Sequence, residues 1–179
     1  MTTNAVARAR IARVLFLLLA CTRGAAVGGE LPPEGVSAQF AATPSEVWTA
    51  AEHALRDAHY TVHEQQKDRL LTGSLRRATP TTGEQAQAIE ELRRLSRFDP
   101  VQIPDTRGIE EYRITLVVEL TRVGEDQTSL RVESKIITLS RAPKEGPMSP
   151  TVTAFPSLGV AEEELIQRMR EHLGSAAIR

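Results

Sequence analysis

One cysteine, Cys21, stands in a chain of 179 residues. No intramolecular disulfide can form, so stability has to come from a packed core. Aromatic residues make up only 4%, which favours close packing of small aliphatic side chains over a ring-lined cavity. The sequence has no glycine-rich phosphate loop, no nucleophile elbow and no metal-binding Cys/His spacing. It therefore indicates no enzyme, no cofactor and no metal. Basic residues do not exceed acidic ones, 22 against 23, whereas a nucleic-acid partner demands a net basic surface. The longest apolar stretch, Ile11 to Ala20 counted across Arg13, has ten residues. A bilayer-spanning helix requires about 20.

That stretch is nevertheless organised. Arg8, Arg10 and Arg13 make a basic end with no acidic residue before Glu30, Val14 to Ala20 is apolar without interruption, and the small Ala20 precedes Cys21. These are the three parts of a secretory signal. Leu18-Leu19-Ala20-Cys21 resembles the lipobox of bacterial lipoproteins, in which a peptidase cuts before the cysteine once its sulfur bears a diacylglycerol. The resemblance implies a signal peptide over residues 1–20 and lipid attachment at Cys21, with palmitate among the acyl chains. An uncleaved N-terminal helix, or an ordinary signal with a chance cysteine, is the alternative. In such lipoproteins an aspartate after the cysteine usually marks retention in the inner membrane. Thr22 thus points to the outer membrane, on its periplasmic face, with the inner membrane or cell surface left open. Loss of residues 1–20 removes three arginines and no acid, so the mature chain carries a charge of about −4. Residues 21–35 hold four glycines and two prolines without periodicity, which reads as a flexible tether.

The stretch 36–174 has single-domain size, and 175–179 is a tail. Val36, Ala38, Phe40 and Ala42 fall on one side of a first strand. Thr43-Pro44-Ser45-Glu46 combines an N-cap hydroxyl, a proline at the first helical position and a glutamate at the third, so a helix starts at Pro44. Val47, Ala51, Ala54, Leu55 and Ala58 form its inward stripe, with Trp48 beside them as packing. His59 to His63 reads as a second strand, and a polar turn at 65–69 makes a hairpin with Leu71 to Leu75. Residues 79–108 leave the sheet as an excursion, with a weaker helix capped at Thr82 and a Glu90–Arg94 pair. Tyr112, Ile114, Leu116, Val118 and Leu120 give the clearest strand. It turns at Gly124-Glu125-Asp126 into Leu130 and Val132, with a slip of phase, and hence a bulge, at Ile136-Ile137. Four prolines mark 141–157 as a loop. A last helix runs from about Leu158 to Leu173 with Gly174 as its stop, and Ala161, Leu165, Met169 and Leu173 face inward.

This order predicts an α+β single domain, an antiparallel sheet with two helices packed on one face. Phe40 through Thr72, with its Thr-Pro-Ser-Glu-Val-Trp helix start, Ala51, Ala54-Leu55, Tyr60-x-Val62 and Leu71-Thr72-Gly73, resembles the helix-grip modules of small envelope lipoproteins. These include the third lipoprotein of the outer-membrane β-barrel assembly machine and several uncharacterised families. The resemblance implies a non-enzymatic module that binds another envelope protein, in outer-membrane or cell-surface assembly. Carriage of a lipid or other apolar ligand between helices and sheet is the alternative. Inserted segments on a rigid scaffold commonly carry recognition, which marks 79–108 and 141–157 as contact surfaces. His53, His59 and His63 lie within eleven residues but read as solvated. Arg76-Arg77 and Arg93-Arg94-Arg97 are diluted by Glu84, Glu90 and Glu91 into a mixed charged face.

Overall fold

A computed structural model describes residues 35–99, 108–140 and 151–176. The elements are β1 (Val36–Phe40), α1 (Pro44–Asp57), β2 (Thr61–Gln66), β3 (Leu70–Ala78), α2 (Thr82–Leu95), β4 (Ile109–Gly124), β5 (Gln127–Ser140), β6 (Thr151–Phe155) and α3 (Val160–Ala176). All strand pairs are antiparallel, in the order β2-β3-β4-β5. The far side of β5 is shared by two short strands, β1 along Thr128–Val132 and β6 along Ile136–Ser140.

The expected α+β architecture is present, and its helix layer holds α1, α2 and α3 rather than two helices. Alternation sets the inner face of the sheet. Ile114, Leu116, Val118 and Leu120 of β4 lie opposite Ile136, Ser134, Val132 and Leu130 of β5, and nearly all are buried. Val47, Ala51, Ala54 and Leu55 of α1 and Leu165 and Met169 of α3 close over them. Burial of a Leu or Ile side chain contributes about 1.5–3 kcal/mol, so this seam is the main source of cohesion. The small stripe of α1 lets it sit close to the sheet, with Leu55 directly above Gly73 of β3.

α1 starts where its capping box requires. The Thr43 hydroxyl accepts from the Glu46 amide, and Glu46 accepts from the Thr43 backbone at 2.8 Å. That backbone hydrogen bond first, and then the Thr43 hydroxyl, which donates to the same carboxylate at 2.7 Å, hold the Glu46 carboxyl below the usual carboxylate range. The same device opens α2, with Thr81 as the N-cap and Glu84 as its third residue. The expected cap at Thr82 is therefore one residue late.

Other boundaries also differ. Thr151–Phe155 is a strand although it lies in the expected loop, because Pro150 and Pro156 flank the segment and remove no ladder donor from within it. β5 keeps its alternation through Ile136 and Ile137, facing inward and outward in turn. The register shifts lie in β4, at Ile109/Glu111 and Arg122/Gly124, and in β2, at Glu64/Gln66. α3 runs through Gly174 to Ala176. The helical cost of about 1 kcal/mol is not enough to end a helix whose earlier turns are buried. His59 adopts the left-handed region at φ 64° in the turn before β2 and is not part of the strand.

Candidate functional site

The expected lipid attachment at Cys21, with the signal segment and most of the tether, lies outside the described residues. The described chain enters the sheet at Gly35. With φ at 95°, a Cβ there would come within 2.7 Å of both Glu133 Cγ and the Val132 carbonyl oxygen, so the entry point demands glycine.

The described part of the 79–108 stretch is no loose excursion. Ala88, Leu92 and Leu95 of α2 are buried, and its end is stitched to the segment before α3. Arg97 donates to the Pro156 carbonyl at 2.9 Å and Leu158 to the Leu95 carbonyl at 3.0 Å, while the Phe98 and Phe155 rings pack at 5.1 Å. Arg94 pairs with Glu164 of α3 and not with Glu90, whose partner is Arg93 at 2.7 Å. A neighbouring helix thus takes the charge that helical spacing had assigned within α2. The outward side of α2, with Glu84, Glu90 and Arg93, remains exposed. Residues 141–150 lie outside the described residues.

Beneath α2, Tyr112 of β4 donates its phenolic hydrogen to Glu91. Burial, then the bond to Glu91 and its charge, push the Tyr112 hydroxyl above its ordinary pKa. Tyr60, the residue before β2, is pushed up to about 12, by burial first and then by the charges of Glu91, Glu164 and Glu162. Both phenols stay protonated at neutral pH, and the Tyr112 hydroxyl ties the sheet to α2. Glu162, fully buried in the first turn of α3, accepts from the Ser157 hydroxyl at 3.0 Å.

The opposite face of the sheet carries no described helix. Arg76 of β3 and Arg113 of β4 stand directly opposite each other, a like-charge juxtaposition that would cost stability by itself. Glu111 resolves it. Its carboxylate, with a side chain only 9% exposed, pairs with both guanidiniums, whose side chains are 70% and 42% exposed. Next to this triad, Ile137 and Leu139 of β5 lie opposite Ala154 and Val152 of β6, and Val152 is 59% exposed. The slip of phase expected at Ile136-Ile137 does not occur, which leaves Ile137 and Leu139 on this face, and Glu111 as a bridge between strands has no sequence signal.

The three histidines weighed from sequence do not converge. His63 lies on the helix-free face and His59 in a turn. His53 instead meets His172 of α3 edge-on, with ring centroids 5.7 Å apart, and His172 lies 3.0 Å from Asp57. Among the described residues no three such groups are arranged to hold a metal ion, and no helix is long and apolar enough to cross a membrane. Two surface hollows, of about 550 and 250 Å³, open beside the N-terminal ends of α1 and α2, with Arg69 and Arg122 on the rim of the larger one. The larger one is lined by Pro44 and Ser45 of α1 together with Leu120, Thr121 and Arg122 of β4. No protein-family model matches the chain, and no curated protein matches its sequence.

Proposed function

We propose that the protein is a bacterial envelope lipoprotein, acylated at Cys21 and held at the periplasmic face of the outer membrane. Its domain acts there as a non-enzymatic module that binds another envelope protein in outer-membrane assembly. The observation that carries this reading is the position of the lone cysteine, at the end of an apolar run behind three arginines and after the small Ala20. The likeness of Phe40 to Thr72 to helix-grip modules supports it, as does the layered fold. The side proposed to meet the partner is the outward side of the helix layer, α2 above all. Apart from the buried Glu162, helices α1, α2 and α3 carry nine acidic and five basic side chains, which suits a partner with a basic surface. The close seating of Leu55 on Gly73 supports a solid interior over the alternative of an apolar ligand carried there.

The test is affinity purification of the tagged full-length protein from cross-linked, detergent-solubilised membranes, with Cys21→Ser as the control. The expected result is a stoichiometric envelope protein that is lost with the control. Recovery of no protein above the control contradicts the reading.

A further inference from the structure

We infer that the helix-free face of the sheet is the side on which the anchored domain rests against an anionic lipid surface. The inference rests on the proposed acylation of Cys21.

Charge sets the orientation. With Glu162 buried, the helix layer presents nine acidic against five basic side chains, so an anionic headgroup layer repels it. The helix-free face carries four basic side chains, Arg76, Arg113, Arg131 and Lys135, against Glu111, Glu119 and Glu133. Within it, Arg76 and Arg113 each spend part of their donor set on Glu111 and stay well exposed. A guanidinium has five N–H donors, so both keep donors for phosphate oxygens. Directly beside them lies the apolar patch of Ile137, Leu139, Val152 and Ala154. Apolar side chains flanked by arginines are the composition of a contact that sits at the boundary of headgroups and acyl chains.

Size decides between lipid and protein. A stable protein complex buries about 20–30 residues a side, far more than this patch offers. A tethered domain needs much less, because the anchor makes the second contact intramolecular. Gly35, where the chain enters from Cys21, lies beside Glu133 and Arg131 of this same face. The fourteen residues from Cys21 to Gly35 have a typical span of about 20 Å, so the patch lies within reach of the bilayer.

The experiment uses the full, acylated protein, whose only native cysteine is blocked by its lipid. An environment-sensitive fluorophore is placed at Val152→Cys or, on the outward side of α3, at Gln167→Cys. Each protein is reconstituted into vesicles of phosphatidylethanolamine with phosphatidylglycerol, or of phosphatidylcholine alone, with a spin-labelled phospholipid as quencher. The expected result is loss of most Val152→Cys emission in the anionic vesicles, a clearly smaller loss in phosphatidylcholine, and little loss at Gln167→Cys in either. Equal quenching at the two positions, or none at Val152→Cys, overturns the inference. So does a probe at Val152→Cys shielded from both the lipid quencher and aqueous iodide, which marks a protein or a second copy on the face. The intact mass of the same sample separates the two levels. A chain without acyl groups refutes the anchor, and this inference with it, whereas an acylated chain with an unquenched probe refutes this inference alone.

Discussion

Gly73 is where the seating of the helix layer on the sheet can be tested with one methyl group. Its backbone is ordinary for a strand, so the reason for glycine is space. A Cβ at this position would lie 2.6 Å from Leu55 Cδ2, 3.2 Å from Cδ1 and 3.3 Å from Cγ. Ordinary carbon contacts are about 3.5–4.0 Å. Leu55 is fully buried, so its side chain has no open space to turn into, and Gly73→Ala must push it aside or lift α1. Overpacking of this kind costs about 1–3 kcal/mol. Against it, alanine restricts the unfolded chain and returns about 0.4–1 kcal/mol. The net expectation is a loss of about 1–2 kcal/mol, read in urea as a fall in midpoint of about 0.5–1 M for a slope of about 2 kcal/mol per molar. The assay is circular dichroism of residues 22–179 without the lipid. Leu55→Ala alone should cost about 2–5 kcal/mol. In the Gly73→Ala background it should cost less by about 1 kcal/mol or more, because the clash has gone. A Gly73→Ala protein as stable as the native one, or strict additivity in the double variant, would refute the packing argument.

The two tyrosines, Tyr60 and Tyr112, are the only ones in the chain, so tyrosinate absorbance reads them without background. Both folded pKa values lie above the ordinary 10, that of Tyr60 at about 12. Between pH 10 and 12 the unfolded chain loses protons that the folded one keeps. Stability from these groups is thus complete below pH 10 and falls as pH rises toward 12; a folded protein that formed tyrosinate with a midpoint at 10 would contradict this. Thr43→Ala and Thr81→Ala each remove a capping box and should lower stability by about 1 kcal/mol. With no partner shared between the caps, their effects should add in the double variant, as denaturant midpoints will show. Glu111→Gln leaves Arg76 and Arg113 opposed without their bridge and should lower the thermal midpoint. Arg113→Gln added to it should recover part of the loss, and a further fall would show that the pair was not repelling.

Local signals were mostly legible where the deciding interactions are local, the cap of α2, one residue earlier than expected, being the exception. The capping box at Thr43 and Glu46 fixed the start of α1, and the alternation of Tyr112 to Leu120 fixed the inner face of β4. What escaped the sequence depends on partners distant in the chain. Thr151–Phe155 became a strand because the outer edge of β5 was available beyond β1, a fact that no window around four prolines contains. Arg94 chose Glu164 across seventy residues over Glu90 within its own helix. His53 found His172 because α1 and α3 pack side by side, and Glu111 is a bridge only in the register that sets Arg76 against Arg113. Gly174 is a fair stop signal that the packing of the preceding turns overrode. The lipobox proposed at Leu18-Leu19-Ala20-Cys21 lies in a different class, since such a signal is read by processing enzymes from the sequence itself.

The most direct test of the account is the mass of the N-terminal peptide of the mature protein, isolated from envelope membranes after growth with labelled palmitate. The account predicts a peptide that begins at Cys21, bears the mass of a diacylglyceryl group and contains the label, and that disappears in Cys21→Ser. A mature chain that begins at any other residue, or a Cys21 peptide of unmodified mass, would contradict it.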